Sequence, residues 1–361
     1  MPSAGITPER SESSQRKPEL TRIALDAMGG DRAPDAPVAG ALLALAELAD
    51  DDVIQLVGRP EAIKPILSGL LAGEMSSAAP RASCITIVPA PDVIAMSDKP
   101  LAAVRGKPKS SMVVGLKLQA SGESDAFVSA GNTGAQMAAS TLLLRLHEGL
   151  TRPAIATLFP TARKPVIVLD VGANVDCSAE ELVQFARLGD VYAEDILGRT
   201  SPTVGLLSIG EETEKGNTAV REAHAYLRAA GVNFVGNVEG GDIPAGACAG
   251  GPIDVVVCDG FVGNVLLKFY ESVAPFLIGL AATHTGGDAR ELFAALKELD
   301  YAEYGGAPLL GVRGVSIISH GRSSARALKN AILVAKRAVT TKMDAHIGRR
   351  LASGDSAPEA A

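Results

Sequence analysis

The feature that most constrains this chain is a repeated joint. A short apolar run, rich in β-branched residues, ends abruptly in glycine and a polar side chain. The runs fall at 21–27 (TRIALDA), 52–58, 85–90, 125–130, 164–171 (KPVIVLDV), 203–210, 232–238, 254–260 (DVVVCDG) and 315–321. They are apolar on successive positions instead of alternating, which suits strands covered on both faces, as in a parallel sheet. Helix-spaced stretches lie between them, among them APVAGALLALAELAD (36–50) and SAEELVQFARLGDVYAEDIL (178–197). Ser178 and Glu181 have capping-box spacing at the start of the second. The alternation predicts a three-layer α/β/α domain with a mostly parallel sheet. The expected organisation is a polar disordered tail over 1–20 and a single α/β domain over 21–347. That domain includes an apolar helical region at about 265–300 and one closing helix over 324–347, followed by a polar tail over 348–361.

Seven of the joints are rich in anion-binding character: LDAMGGD (25–31), SAGNTGA (129–135), LDVGANVD (169–176), SIGEETEKGN (208–217), GNVEGGD (236–242), CDGFVGN (258–264) and SHGRSS (319–324). In a parallel sheet these are the carboxyl ends of strands and are expected to share one edge, where ligands bind. Glycine lets backbone N–H groups approach an anion, and a helix N-terminus adds a positive dipole end. Together they argue for a phosphate-bearing substrate.

Other classes are excluded or weakened. Net charge is −7, and aromatic residues make up 4% with no tryptophan, which disfavours a nucleic-acid partner. There is no GK[ST] loop, GxGxxG fingerprint, HExxH or GxSxG, so ATP, NAD, a bound metal and a serine nucleophile all lack their motifs. Cys84, Cys177, Cys248 and Cys258 show no metal spacing and read as reduced thiols of an intracellular chain. The first twenty residues are polar, and no run of ~18 apolar residues occurs, so the expected location is the cytoplasm, at most against a membrane surface.

Individual residues carry open readings. Lys215, in GEETEKGN, reads either as part of a solvated charged loop or as a cation aimed at phosphate. His320 follows a strand and reads equally as structural or functional, whereas His147, His224, His284 and His346 are expected at the surface. The basic run 98–112, with Arg105, Lys107 and Lys109, is a solvated approach to a helix or a landing patch for an acidic partner. The stretch 265–284 is a core or dimer-interface helix or an amphipathic surface that meets lipid.

Taken in order, LDAMGGD, SAGNTGA, LDVGANVD, GLLSIGEE, KGN, NFVGNVEG, DVVVCDGFVGNV, EYGGAPLLGV and ISHG resemble the phosphate acyltransferases of bacterial phospholipid synthesis, the PlsX family. The resemblance implies a fold related to the isocitrate dehydrogenase-like and phosphotransacetylase group. It implies transfer of an acyl group from acyl carrier protein to inorganic phosphate, in a cytosolic homodimer that touches the membrane loosely. It also implies no metal or organic cofactor, and a product passed to the next acyltransferase of the pathway.

The residues suit that reaction, because phosphate is already a nucleophile and a thiolate of pKa ~8.5 leaves readily. Lys215 is expected to steady phosphate or the oxyanion, and Asn264 to donate to the acyl carbonyl or phosphate. Gly29, Gly30, Gly131, Asn132, Thr133, Gly172, Asn174, Gly216, Asn217, Asn237, Gly260, Gly263 and His320 supply further anion contacts. Asp26, Asp31, Asp170 and Asp259 orient these donors, because like charges repel. Arg105, Lys107 and Lys109 form the docking site for the acidic carrier. The rival readings are an acyl-coenzyme A:phosphate acyltransferase, a decarboxylating dehydrogenase and a non-catalytic membrane scaffold.

Overall fold

Strands form where the apolar runs predict them. The computed structural model describes residues 20–285 and 305–354, so the expected tail over 1–20, and the apolar region past 285, fall almost wholly outside the described residues. In chain order the strands are β1 (Arg22–Asp26), β2 (Val53–Gly58), β3 (Ile85–Pro89), β4 (Ala126–Ser129), β5 (Ala154–Phe159), β6 (Val166–Leu169), β7 (Thr203–Leu207), β8 (Asn233–Val238), β9 (Ala247–Cys248), β10 (Gly251–Pro252), β11 (Val255–Val257), β12 (Ala307–Leu310) and β13 (Val315–Ile318). Every residue of β4, β6, β11 and β13 is buried, as consecutive apolar positions require when both faces are covered.

Eleven strands make one sheet in the order β3-β2-β1-β4-β13-β12-β5-β6-β11-β7-β8. β3-β2-β1-β4-β13 is one parallel half, and β6-β11-β7-β8 is the other. β12 runs antiparallel to both β13 and β5, and β5 runs antiparallel to β6. Three reversals in succession turn the second half against the first. The expectation that all the joints share one edge is therefore wrong. β5 and β12 escaped the sequence reading because Ala154 and Ala156 lower strand propensity and Pro308 argues against an interior strand.

The helices α1 (Asp35–Ala44), α2 (Pro60–Ala72), α3 (Pro100–Gly106), α4 (Ser111–Ala120), α5 (Thr133–Leu143), α6 (Ala179–Leu197), α7 (Thr218–Leu227), α8 (Asp242–Ala245), α9 (Gly260–Thr285), α10 (Ala325–Thr340) and α11 (Met343–Gly354) supply the outer layers. On one face Val38 and Leu42 of α1, Phe185 and Tyr192 of α6, and Ile332 of α10 pack with Ile23 and Leu25. On the other, Val104 of α3, Leu116 of α4, Ala135 of α5 and Leu267 of α9 pack with Ala24 and Phe127. Successive strand residues serve opposite layers, as the pleat dictates. Ser178 and Glu181 form the capping box that their spacing predicts.

Two expectations need correction. The closing helix is two helices, α10 and α11, broken at Lys342 with φ of 57°. The second continues to Gly354, into the stretch read as tail. His147 and His224 are not surface residues: His147 Nε2 lies 2.7 Å from Asp344 Oδ1, and His224 is 6% exposed against Phe234. His346 is also engaged, with Nδ1 3.1 Å from Asp195. The side chain of His284 lies outside the described residues.

Candidate active site

Although the two halves run in opposite directions, several of their joints meet over the antiparallel seam. A cavity of about 420 Å³ lies there, floored by Ile155 and Thr157 of β5 and Ala307 of β12. Asp31 follows β1, Thr133 follows β4, Val171 and Gly172 follow β6, and Ser319 to Arg322 follow β13; all line it. α9 closes one side with Asn264, Leu267, Lys268 and Glu271, a stripe at helical spacing. Tyr270 anchors this helix edge-on against Phe159 of β5, with ring centroids 4.6 Å apart.

A buried carboxylate organises each half's leading joint. Asp26 accepts from Ser129 Oγ at 2.7 Å and from the Met28 N–H at 3.1 Å. Ser129 Oγ in turn accepts from the Gly131 N–H at 3.0 Å, while Gly29 and Gly30 pack against the β4 joint. Asp31 donates its N–H to the Gly321 carbonyl at 2.7 Å, tying the β1 and β13 joints together. Asp170 accepts the N–H groups of Ile155, Gly172, Ala173 and Asn174, and also Asn174 Nδ2. Burial pushes both Asp26 and Asp170 up from the usual carboxylate range, against the downward pull of those hydrogen bonds.

The first turn of α9 docks on the Asp170 loop. The Gly260 N–H donates to the Asn174 carbonyl at 2.7 Å, and Asp259 Oδ1 accepts from the Val262 N–H at 2.9 Å. Asn264 is exposed within the cavity and stands over Gly172, where an added Cβ would come 3.5 Å from its Oδ1. His320 lines the opposite side. Its Nδ1 accepts the Arg322 N–H at 3.2 Å, and burial, followed by the neighbouring Lys268, lowers its pKa.

Other sequence-predicted residues hold structure. Asn132 Oδ1 caps α5 and its Nδ2 donates to the carbonyls of Ala95, Met96 and Asp98. Asn174 Nδ2 is committed to Pro153 and Asp170. Lys215, Gly216 and Asn217 follow β7, and Asn237 lies in β8; none of these four lines the cavity. The Lys215 side chain is exposed and lies along Gly210, Asn217 caps α7, and Asn237 Nδ2 holds the Glu212 carbonyl at 2.8 Å. Lys107 is bound by Asp98 at 2.5 Å, whereas Arg105, in the last turn of α3, and Lys109, on the connection to α4, are exposed.

Sequence reasoning missed Lys268, Glu271, Met96 and Thr157 as cavity residues, and from the SHGRSS joint it singled out His320 but neither Ser319 nor Arg322. The first two were legible in principle, at four and seven residues beyond Asn264 on one helix face. Two of the thiols are poorly suited as nucleophiles: burial, then Asp259 and Asp170, holds Cys258 well above the ordinary thiol range. Burial, then Asp170, pushes Cys177 up to about 12. Among the described residues no group of three or more His, Cys, Asp or Glu side chains is placed to hold a metal ion. The arrangement sets a lysine, an arginine and hydrogen-bond donors beside an apolar wall.

A family model described as fatty acid synthesis protein matches residues 21–346. The phosphate acyltransferase of Heliobacterium modesticaldum is 49% identical over 328 residues, covering 88% of this chain and 94% of that protein. That of Nostoc punctiforme is 46% identical over 337 residues, covering 89% and 94%. Among solved structures, a phosphotransacetylase from Streptococcus pyogenes has a TM-score of 0.58 at 17% identity and covers 89% of this chain and 94% of its own. The EutD phosphotransacetylase of Staphylococcus aureus has a TM-score of 0.56 at 14% identity, with coverage of 89% and 95%. At such identities the likeness concerns the fold, which matches the α/β architecture expected. With nearly half its residues shared with these relatives over most of its length, the chain belongs to the fatty acid synthesis protein family and, within it, stands with the phosphate acyltransferases.

Proposed function

We propose that this chain transfers a fatty acyl group from the thioester of acyl carrier protein to inorganic phosphate. The observation that carries the reading is the cavity at the seam, where an apolar wall shares one space with cationic and hydrogen-bonding side chains. The curated relatives' name supplies the reaction class. A phosphate oxygen attacks the thioester carbon and an oxyanion develops as the new C–O bond forms. The C–S bond then breaks, and the proton of hydrogen phosphate ends on the departing thiolate. Nucleophile and leaving group both belong to the substrates, so the protein's task is positioning and charge stabilisation. Mixing the protein with long-chain acyl carrier protein and phosphate, then trapping with hydroxylamine, tests this. Phosphate-dependent hydroxamate is expected, and its absence with both carrier-protein and coenzyme A donors sinks the proposal. A higher kcat/KM with coenzyme A thioesters would reassign the donor.

In this reading Asn264 donates to the oxyanion, and Lys215 closes over the site from the β7 joint, next to β11 in the sheet. Lys215→Ala is expected to lower kcat at least about tenfold with an unchanged thermal midpoint, because the side chain is exposed. Wild-type turnover would remove Lys215 from the mechanism.

Arg105 and Lys109 receive the acidic carrier. Arg105 is in the last turn of α3 and Lys109 follows that helix, which stands beside the cavity, with Met96 in the lining and Pro100 against Gly134. Charge reversal at both positions is expected to raise KM for acyl carrier protein about fivefold or more at low salt, and to leave KM for phosphate alone. Equal carrier KM in variant and wild type would move the docking site elsewhere.

The outer face of α9 exposes Phe261, Val265, Phe269, Phe276 and Leu280 at helical spacing. No helix among the described residues is long and apolar enough to cross a membrane. The stripe serves a homodimer or peripheral contact with the membrane of a cytoplasmic enzyme, close to the acyltransferase that consumes the product. Phe269→Glu with Phe276→Glu is expected to abolish liposome flotation or to lower the sedimenting mass by half. A variant unchanged in both assays denies the stripe either role.

A further inference from the structure

We infer that Lys268 and Ser319 form the phosphate-holding pair of the cavity, with Glu271 as the counter-ion that incoming phosphate displaces. The inference rests on the reading of this cavity as the acyl-transfer site, and it gives roles to Lys268, which no joint contains, and to Ser319, which opens the SHGRSS joint. Lys268 stands one helical turn beyond Asn264 on the cavity-facing stripe of α9, so the two side chains address the same space. Its Nζ lies 2.8 Å from Glu271 Oε2, and both residues line the cavity. Lys268 is 52% exposed at the side chain and Glu271 only 16%, so the cation reaches outward from a carboxylate set deeper in the wall. An ion pair whose cation is half exposed to solvent is weakened by water and readily exchanged.

Ser319 supplies an independent pointer. It is 4% exposed, yet its Oγ has no hydrogen-bond partner among the described residues. Its N–H is fixed to the Ser129 carbonyl at 2.8 Å, so the residue itself is well held. A buried hydroxyl without an acceptor calls for a ligand that brings one. The space beside it is kept by Gly306, where a Cβ would come 3.1 Å from Ser319 Oγ. A phosphate dianion provides acceptor oxygens for the hydroxyl and the charge for Lys268. As it enters, the ammonium exchanges Glu271 for phosphate, and the repulsion between Glu271 and the dianion sets a limit on affinity.

The test measures initial rates against phosphate at saturating acyl donor. Lys268→Met is expected to raise KM for phosphate about tenfold or more, and Ser319→Ala about threefold or more, with KM for the acyl donor unchanged. Glu271→Gln is expected to lower KM for phosphate about threefold, because it frees the lysine and removes a like charge. Lys268→Arg is expected to restore most of the loss. A purely structural ion pair gives the opposite pattern, with Lys268→Met and Glu271→Gln shifting phosphate KM in the same direction or not at all, and that result overturns the inference. Binding of inorganic phosphate followed by calorimetry separates the levels of the argument. Wild-type protein that binds phosphate and transfers no acyl group refutes the proposed function. Wild-type protein that transfers acyl groups while Lys268→Met and Ser319→Ala bind phosphate as tightly refutes only this assignment.

Discussion

Asn264→Ala is expected to lower kcat by about two orders of magnitude, the typical effect of deleting one oxyanion donor, while the protein stays folded. The side chain is exposed in the cavity and caps no helix, so truncation removes little stability. It nevertheless occupies a defined place, one residue after Gly263 and directly over Gly172. The amide offers both a donor and an acceptor, and Asn264→Asp distinguishes which one matters. A carboxylate of the same shape turns the donor into a second acceptor and repels both phosphate and the developing oxyanion. If the donor is what counts, Asp at this position is at least as damaging as Ala. The measurement is steady-state kcat with phosphate saturating, alongside a thermal melt. Turnover within about threefold of wild type for Asn264→Ala removes this residue from transition-state stabilisation.

How far the sequence reaches can be argued from particular residues. VIVL of β6 and VVV of β11 announce buried parallel strands because branched residues on consecutive positions have little other use. The polar joints that follow them announce anion chemistry for the same reason: asparagine and aspartate at the end of a buried strand need a purpose. Direction was lost at the seam. Pro308 disguised β12, the alanines disguised β5, and those two strands alone decide that the second half is reversed. With direction went the question of which joints meet. The joints after β1, β4, β6 and β13 reach the cavity, whereas Lys215, equally legible as a joint residue, stands apart. Lys268 was hidden by its setting, since its relation to Asn264 exists only on a helix. Ser319 was beyond reach for another reason. A hydroxyl without a partner is a property of three-dimensional neighbours, and no pattern of residue types encodes it.

Gly263→Ala is expected to be the most damaging alanine substitution among the described glycines. Its added Cβ would stand 1.9 Å from the Asp170 carbonyl oxygen, 2.9 Å from the Asp170 carbonyl carbon and 3.0 Å from Cys258 Sγ. The obstacle is backbone, and that backbone is unable to retreat, because the Asp170 side chain holds four N–H groups of the adjoining loop and strand. Helix α9 must therefore lift from the β6 joint and carry Asn264 off Gly172. Overpacking of this kind costs about 3 kcal/mol. A displacement of about 1 Å at a reacting centre removes about a hundredfold in rate even from molecules that remain folded. Gly69, in the exposed interior of α2, is the matched comparison, since nothing lies within 4 Å of a Cβ placed there. Gly69→Ala is expected to stabilise the protein by about 0.5–1 kcal/mol through helix propensity alone. Denaturant melts of the two variants, with kcat measured where each is folded, separate a packing cost from a general effect of alanine. If Gly263→Ala melts and turns over as wild type does, then α9 does not rest on the Asp170 loop, and that loop does not place Asn264.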